Sequence, residues 1–416
     1  MDYKISIVLD KRRQLNNYKY PIKVRIYSNL LKKAKRIGTN LTMTENQFIN
    51  AWGVSPDKVK SEYKASYRIL SELYKRAEAA ADSLDYFDFD KFKTKLLRKA
   101  SDKTNAAYHF NKTIKEFESK GRIGAASSYR SSMISLLKYD KEKNSGSGDS
   151  LSFHQITPTW LEDYESYMID DMGRSITTVA IYTRTLRVIF NNAIRANDLE
   201  PKYYPFGKGK FEIPEEKTVK KTLTGKQIKE FYQAKLNPLE EKARDYWFFS
   251  YVSQGMNFKD IAILKFENIQ DSKLVYYRAK TKTKRRTNIK KIEVPLNRES
   301  QRILECYGTN YREDGYVFPI LQDNDTPEAI FRKVNNFIRA TNQQLKRIAK
   351  KLDFPSGFST YWARHSFATN MVNNGASIEF VSEALNHSDI SVTQNYLDGF
   401  EDETKKDLMD KLLNFD

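Results

Sequence analysis

Arg364, His387 and Tyr396 follow one another at separations of 23 and 9 residues near the C-terminal end of a 416-residue chain. Together they hold the side-chain types that attack on a phosphodiester requires. Such a centre needs cations or hydrogen-bond donors on the nonbridging oxygens, an acid for the leaving oxygen, and a nucleophile. A guanidinium holds two phosphate oxygens through its planar fork. An imidazole donates a further bond, and a phenol that attacks is left as a covalent phosphotyrosine. Taken singly the three say little, since a lone helical arginine is usually a solvated charge and a lone tyrosine usually half-buried packing. The weight rests on the set.

Local patterns say what must position them. Arg364 and His365 open a helix whose apolar face includes Phe367, Ala368 and Met371, and Gly375 supplies its stop. Ser377 caps the next helix, with Phe380, Val381 and Leu385 expected inward, and His387 falls just past its end. Upstream, two strand-like runs (273–278 and 289–295) flank a hairpin in which nine Lys or Arg and no acid lie between Lys273 and Lys291. From Lys4 to about Met43 the chain reads as short strands. Apolar residues alternate with Lys23 and Arg25 over 22–27, so one face buries and the other presents cations. Basic clusters at 11–13, 32–33 and 35–36 fall where turns would be. A sheet of this kind can enter a DNA groove; an edge strand protected by charge is the alternative. Helices are expected over 61–84, 107–120, 126–139, 159–171 and 176–196. Residues 144–150 read as a loop inside that helical stretch, and 203–216, with two Pro and two Gly, as the stronger boundary.

Composition narrows the class. The chain has a formal charge of +18 and a pI near 9.5, a balance that attracts polyanions such as DNA, RNA or an anionic membrane. Hydrophobic residues make up 40% and charged residues 30%, ordinary for a soluble protein and unlike a disordered one. No apolar run reaches the length of a membrane span and no signal pattern opens the chain, so no membrane partner is expected. One cysteine, Cys306, rules out an intramolecular disulfide and fits a reducing cytoplasm, where a nucleoid-associated location is expected. With four histidines and that one cysteine, a metal site has almost no ligands to use. Neither a metal nor another cofactor is expected.

The run Tyr-Trp-Ala-Arg-His-Ser-Phe-Ala-Thr from Tyr361, then Leu-Asn-His-Ser-Asp, then Thr-Gln-Asn-Tyr-Leu resembles the C-terminal motif of the tyrosine recombinases, or phage-type integrases. The likeness extends upstream. Residues 223–228 look like the start of that family's catalytic domain, and 254–261 match the box that carries its first arginine. Lys280 matches its β-strand lysine, with Lys282 the rival because the hairpin register is uncertain. Residues 104–206 look like the helical, SAM-like core-binding domain. Residues 1–97 look like the arm-binding domain of integrases from conjugative transposons and temperate phages.

The resemblance implies a multidomain, mainly α protein: a small N-terminal β-sheet with a helix (1–97), a helical core-binding domain (104–206), and a mostly helical catalytic domain with a small sheet (215–416). It implies that Tyr396 attacks the scissile phosphate, that Arg364 and His387 hold the developing charge, and that Lys280 protonates the departing 5′ oxygen. Strand exchange then runs through a Holliday junction in a tetramer on two double-stranded attachment sites, with an accessory DNA-bending protein as a further expected partner. The amphipathic tail over 402–415 packs either on a neighbouring protomer or on its own domain. Lys23, Arg25, Lys282, Lys284 and His365 are expected DNA contacts.

The motif departs from the family in three places. Asn257 stands where the first arginine is usual, and losing one such donor costs roughly 10²–10³ in rate. Arg285 or Arg286 from the hairpin is the expected substitute, with Lys259 a weaker one. Tyr361 replaces a usual His or Lys, offering a phenol that is uncharged near neutral pH. Asn386 replaces a usual Gly, in a left-handed turn that Asn tolerates. Two rival readings follow: a catalytically silent DNA-binding relative, and a type IB topoisomerase-like relaxing activity.

Overall fold

The computed structural model describes residues 3–84, 86–215, 222–279, 291–386, 389–394 and 409. The chain divides into two compact units, one formed by 1–109, 140–160 and 187–205, the other by 110–139, 161–186 and 206–416.

In the first unit, β1 (Tyr3–Leu9), β2 (Lys19–Ser28) and β3 (Lys33–Thr44) form an antiparallel sheet in chain order. The period-two alternation sends Ile22, Val24 and Ile26 fully inside, each contributing about 1.5–3 kcal/mol. On the opposite face Arg25 lies across from Ser6 of β1 and Arg36 of β3. The inner face is covered by α1 (Glu45–Trp52), α2 (Lys64–Asp82) and α3 (Phe89–Leu97), whose Ala51, Leu70, Leu73, Phe92 and Leu96 share one core with the sheet. Of these, α2 matches an expected helix, while α1 and α3 were not anticipated. Yet α1 opens on a legible capping box: Thr44 Oγ1 accepts the Gln47 N–H at 3.2 Å, and Gln47 Oε1 accepts the Thr44 N–H at 3.1 Å. Asp88 caps α3 in the same spirit, accepting from the N–H groups of Asp90 and Lys91.

The four helices expected over 107–196 are present as α4 (Ala106–Ser119), α5 (Ile123–Lys143), α6 (Pro158–Ser166) and α7 (Ile176–Arg195); a π-helical turn, Tyr167–Asp171, follows α6. Their residues are divided between the two units.

The second unit continues with α8 (Gly225–Gln233), α9 (Pro238–Val252) and α10 (Phe258–Ala262). A small antiparallel sheet follows, β4 (Ile269–Gln270), β5 (Lys273–Tyr276) and β6 (Ile292–Pro295). Then come α11 (Arg298–Tyr307), α12 (Pro327–Lys351), α13 (Trp362–Asn373), α14 (Ile378–Ala384) and α15 (Ile390–Gln394). Two helices form its centre. Four successive aromatic residues of α9, Tyr246 to Phe249, are all buried, so that stretch of the helix is enclosed on every side. Ten of the twelve residues of α13 are buried, including the charged Arg364, so the arginine motif lies inside the unit.

Candidate active site

Arg364 sits in the first turn of α13 and is 4% exposed. A buried guanidinium needs acceptors for its donors, and the backbone supplies two. Nη1 donates to the Gly255 carbonyl at 3.0 Å, and Nη2 donates to the Leu385 carbonyl. Gly255 belongs to the turn before Asn257, and Leu385 ends α14, two residues before His387. One side chain therefore ties together two of the three motif segments.

The turn is built for that approach. Gly255 has φ +65°, and a Cβ there would stand 3.0 Å from both Cα and Cγ of Arg364. Only glycine combines that backbone with that contact. On the other side, Asn386 has φ +52°, the left-handed conformation expected of it. Gly375, at φ +88°, ends α13, and the Ser377 hydroxyl accepts the Phe380 N–H at 3.1 Å to begin α14. The helix stop and cap thus fall where the residue types placed them. Val381 and Leu385 point inward as expected, but Phe380 does not: it is 46% exposed, because the short helix turns only Val381, Ser382 and Ala384 toward the core.

The remaining polar residues of the arginine motif brace α13. Ser366 Oγ accepts the Leu223 N–H at 3.0 Å, and Asn370 Nδ2 donates to the Leu223 carbonyl at 3.3 Å. The segment predicted to open the catalytic domain is thereby sewn onto the helix that carries Arg364.

Asn257 caps α10, its side chain accepting the Lys259 N–H at 3.0 Å. Three residues on, Asp260 is 4% exposed and accepts the Ala279 N–H at 2.9 Å. Burial holds its carboxyl above the usual carboxylate range, while Arg278, Arg364 and Lys259 pull it back. Ala279 immediately precedes Lys280, so this carboxyl anchors the base of the lysine hairpin. Neither Gly255 nor Asp260 was assigned a role from sequence. The signals were there: a glycine in the turn ahead of a capped helix, and an acid inside the apolar run Phe258–Ala262.

Tyr361 is 44% exposed, and its ring meets that of His365 edge-on at 4.7 Å between centroids. His365 itself is 7% exposed. The side chain expected to contact DNA is therefore largely covered in this fold. Lys280, Lys282, Lys284, Arg285, Arg286, His387 and Tyr396 lie outside the described residues.

In the first unit, Lys23 Nζ is 2.6 Å from the carboxylate of Asp10, which also takes two bonds from Arg12. Those cations hold Asp10 well below the usual carboxylate range. Of the two strand residues proposed to meet DNA, Lys23 is thus partly committed to an acid. Arg25, beside Arg36, carries the open face. Among the described residues no group of His, Cys, Asp and Glu could hold a metal, and no helix is long and apolar enough to cross a membrane.

Most of the chain from residue 107 onward matches known families. The phage integrase family model matches residues 221–403, and the phage integrase SAM-like domain model matches 107–213. Tyrosine recombinase XerD of Oceanobacillus iheyensis is 24% identical over 285 residues, 65% of this chain and 86% of that protein. Tyrosine recombinase XerC of Myxococcus xanthus is 34% identical over 110 residues, 25% of this chain and 34% of that protein. Among solved structures, the Tn1549 transposon integrase in complex with circular intermediate DNA superposes with a TM-score of 0.50 at 16% identity, covering 74% of this chain and 99% of that one. At that identity the likeness speaks for the fold.

Proposed function

Because the chain belongs to the phage integrase family of tyrosine recombinases, we propose that it recombines DNA site-specifically through a phosphotyrosine formed by Tyr396. The observation that carries the reading is the buried Arg364, which bonds the Gly255 turn on one side and the Leu385 carbonyl on the other. Asp260 meanwhile holds the residue before Lys280. Segments distant in the chain are braced against one guanidinium, as chemistry at a single phosphorus atom requires.

In this reading Tyr396 attacks the scissile phosphate, and its Oη–P bond replaces the bond to the 5′ oxygen. Arg364 and His387 hold the charge that develops, and Lys280 delivers a proton to the leaving oxygen, Lys282 being its rival. The phosphotyrosine conserves the energy of the broken linkage, and a partner strand's 5′-hydroxyl reverses the step. Arg285 or Arg286 supplies the charge that Asn257 lacks, and Tyr361 adds a hydrogen bond rather than a charge.

The working assembly is a tetramer on two attachment sites, with a DNA-bending protein as accessory, in a cytoplasmic, nucleoid-associated setting. Residues 1–97 act as an arm-type DNA-binding domain whose open sheet face, with Arg25 and Arg36, meets the duplex. Residues 104–206 clasp the core site and 215–416 carry the chemistry; the two family models, at 107–213 and 221–403, support the latter two boundaries. The DNA is that of a mobile element, a reading supported by the resemblance of residues 1–97 to the arm-binding domain of integrases from conjugative transposons and temperate phages.

The test is a nicked suicide substrate carrying the attachment site, identified beside the gene. Wild-type protein forms a covalent adduct and Tyr396→Phe does not. A wild-type chain that binds this DNA without ever forming the adduct is a silent relative, and one that relaxes plasmids lacking the site is a topoisomerase. Either result overturns the proposal.

A further inference from the structure

The tip of the β2–β3 hairpin carries a feature that the open sheet face does not account for. Its last paired residues are Ser28 and Lys33, which leaves Asn29, Leu30, Leu31 and Lys32 as the loop. Leu30 is 74% exposed and Leu31 44%. The loop is nonetheless ordered by its own chemistry: the buried Ser28 hydroxyl accepts the Leu31 N–H at 3.2 Å, and Lys32 takes φ +50° to turn the chain back. Two leucines are thus displayed by a fixed turn, at the end of a sheet whose inner face is otherwise filled with Ile, Val and Leu.

The surroundings say what kind of surface they meet. Between Lys11 and Thr44 the chain has ten Lys or Arg and no acid. Lys32 and Lys33 adjoin the leucines and are exposed, and Arg36 lies three residues beyond Lys33 on the open face. Lys35 points the other way, over the ring of Phe89. An apolar point ringed by cations fits a partner that places apolar surface directly beside dense negative charge. In duplex DNA, base edges and stacked steps lie a few ångströms from the phosphates, and apolar side chains can enter between steps and kink the helix.

We propose that Leu30 and Leu31 form an apolar wedge that enters a groove of duplex DNA and bends it when the basic sheet docks. The inference rests on the reading of residues 1–97 as a DNA-binding domain. It adds to that reading a bend made by this chain itself.

The experiment uses the full-length protein and a mixed-sequence 40-base-pair duplex labelled at both ends, with affinity and end-to-end energy transfer measured across a salt series. Three proteins are compared: wild type, Leu30→Ser/Leu31→Ser, and Arg25→Ala/Arg36→Ala. Thermal melting confirms that each is folded, the expected result because none of the four side chains is buried. The leucine variant should lose roughly tenfold in affinity and lose the bend, with the slope of log affinity against log salt unchanged because its phosphate contacts remain. The arginine variant should flatten that slope. If the leucine variant binds and bends DNA like wild type while the arginine variant flattens the slope, the wedge is refuted and the DNA-binding reading survives. If neither variant differs from wild type, both fall. If the leucine variant instead loses binding to vesicles of anionic phosphatidylglycerol with duplex binding intact, the tip is a membrane contact and the wedge is again refuted.

Discussion

Replacing Gly255 with alanine tests the site through its tightest backbone contact. The new methyl would sit 3.0 Å from Cα and Cγ of Arg364 and 3.2 Å from its Cβ, none of which is the free end of a flexible chain. Two costs add. A Cβ in the left-handed region costs about 1–2 kcal/mol, and forcing an extra methyl into a packed contact costs typically about 1–3 kcal/mol. The unit should therefore lose about 2–5 kcal/mol, a fall in melting temperature of roughly 4–20 °C at about 2–4 °C per kcal/mol. The function should suffer more than the fold. The Gly255 carbonyl accepts from Arg364 at 3.0 Å, so the strain is relieved by moving the guanidinium, and a misplacement of about 1 Å costs on the order of 10² in rate. Covalent adduct formation on a suicide substrate, followed at a temperature where the variant is fully folded, reads that loss. Affinity for the uncleaved site should hold within a few-fold, because most phosphate contacts are elsewhere. A variant with wild-type melting and wild-type cleavage would refute the claim that this turn sets the position of Arg364.

Three other outcomes are expected. Asp260→Ala should slow cleavage strongly without weakening DNA binding, since it frees the Ala279 N–H at the base of the lysine hairpin; Asp260→Asn, which keeps an acceptor oxygen, should recover part of the rate, and equal loss in both variants would count against the anchoring role. Arg285→Ala/Arg286→Ala should lower cleavage by roughly 10²–10³ if one of them replaces the charge missing at Asn257, whereas wild-type rates would exclude both. Glu240 is 2% exposed and bonded to Lys351 at 2.6 Å, and that ammonium pulls its carboxyl below the ordinary 4.5. A carboxyl depressed on folding stabilises above its unfolded pKa and loses that contribution as pH falls through the folded value. The melting-temperature gap between wild type and Lys351→Met should thus be widest near about pH 6 and narrow as the pH falls below the ordinary carboxylate value through the depressed one, and a gap that stays constant would show that the pair contributes through packing alone.

Much of the local architecture was legible because it is written in short-range chemistry. Alternation over 22–27 gave the strand and its inward face, since side chains on a strand point to opposite sides with period two. Gly375, Ser377 and Asn386 marked a stop, a cap and a turn, because each residue type is favoured at the position it occupies. What was missed also has a local reason. The helices α1 and α3 are short, with few apolar repeats, so only their capping residues, Thr44 and Asp88, signal them. Phe380 was placed inside because it is apolar, but a seven-residue helix has one narrow buried stripe, and Val381 and Ala384 occupy it.

The amino-acid sequence by itself pointed to the reaction type, since a phenol, a guanidinium and an imidazole stand at the spacing of the tyrosine recombinase motif and are the groups that attack on a phosphodiester needs. It also determined several of the elements, among them the 22–27 strand and the helices over 107–196, which follow from periodicity and caps. Only the tertiary structure decided that Arg364 is buried, that its bonds reach Gly255 and Leu385, and that Asp260 secures Ala279. Those are contacts across 109, 21 and 19 residues. No local rule encodes them, because the partners are backbone groups, whose chemistry is the same at every position and whose meeting depends on how the helices pack.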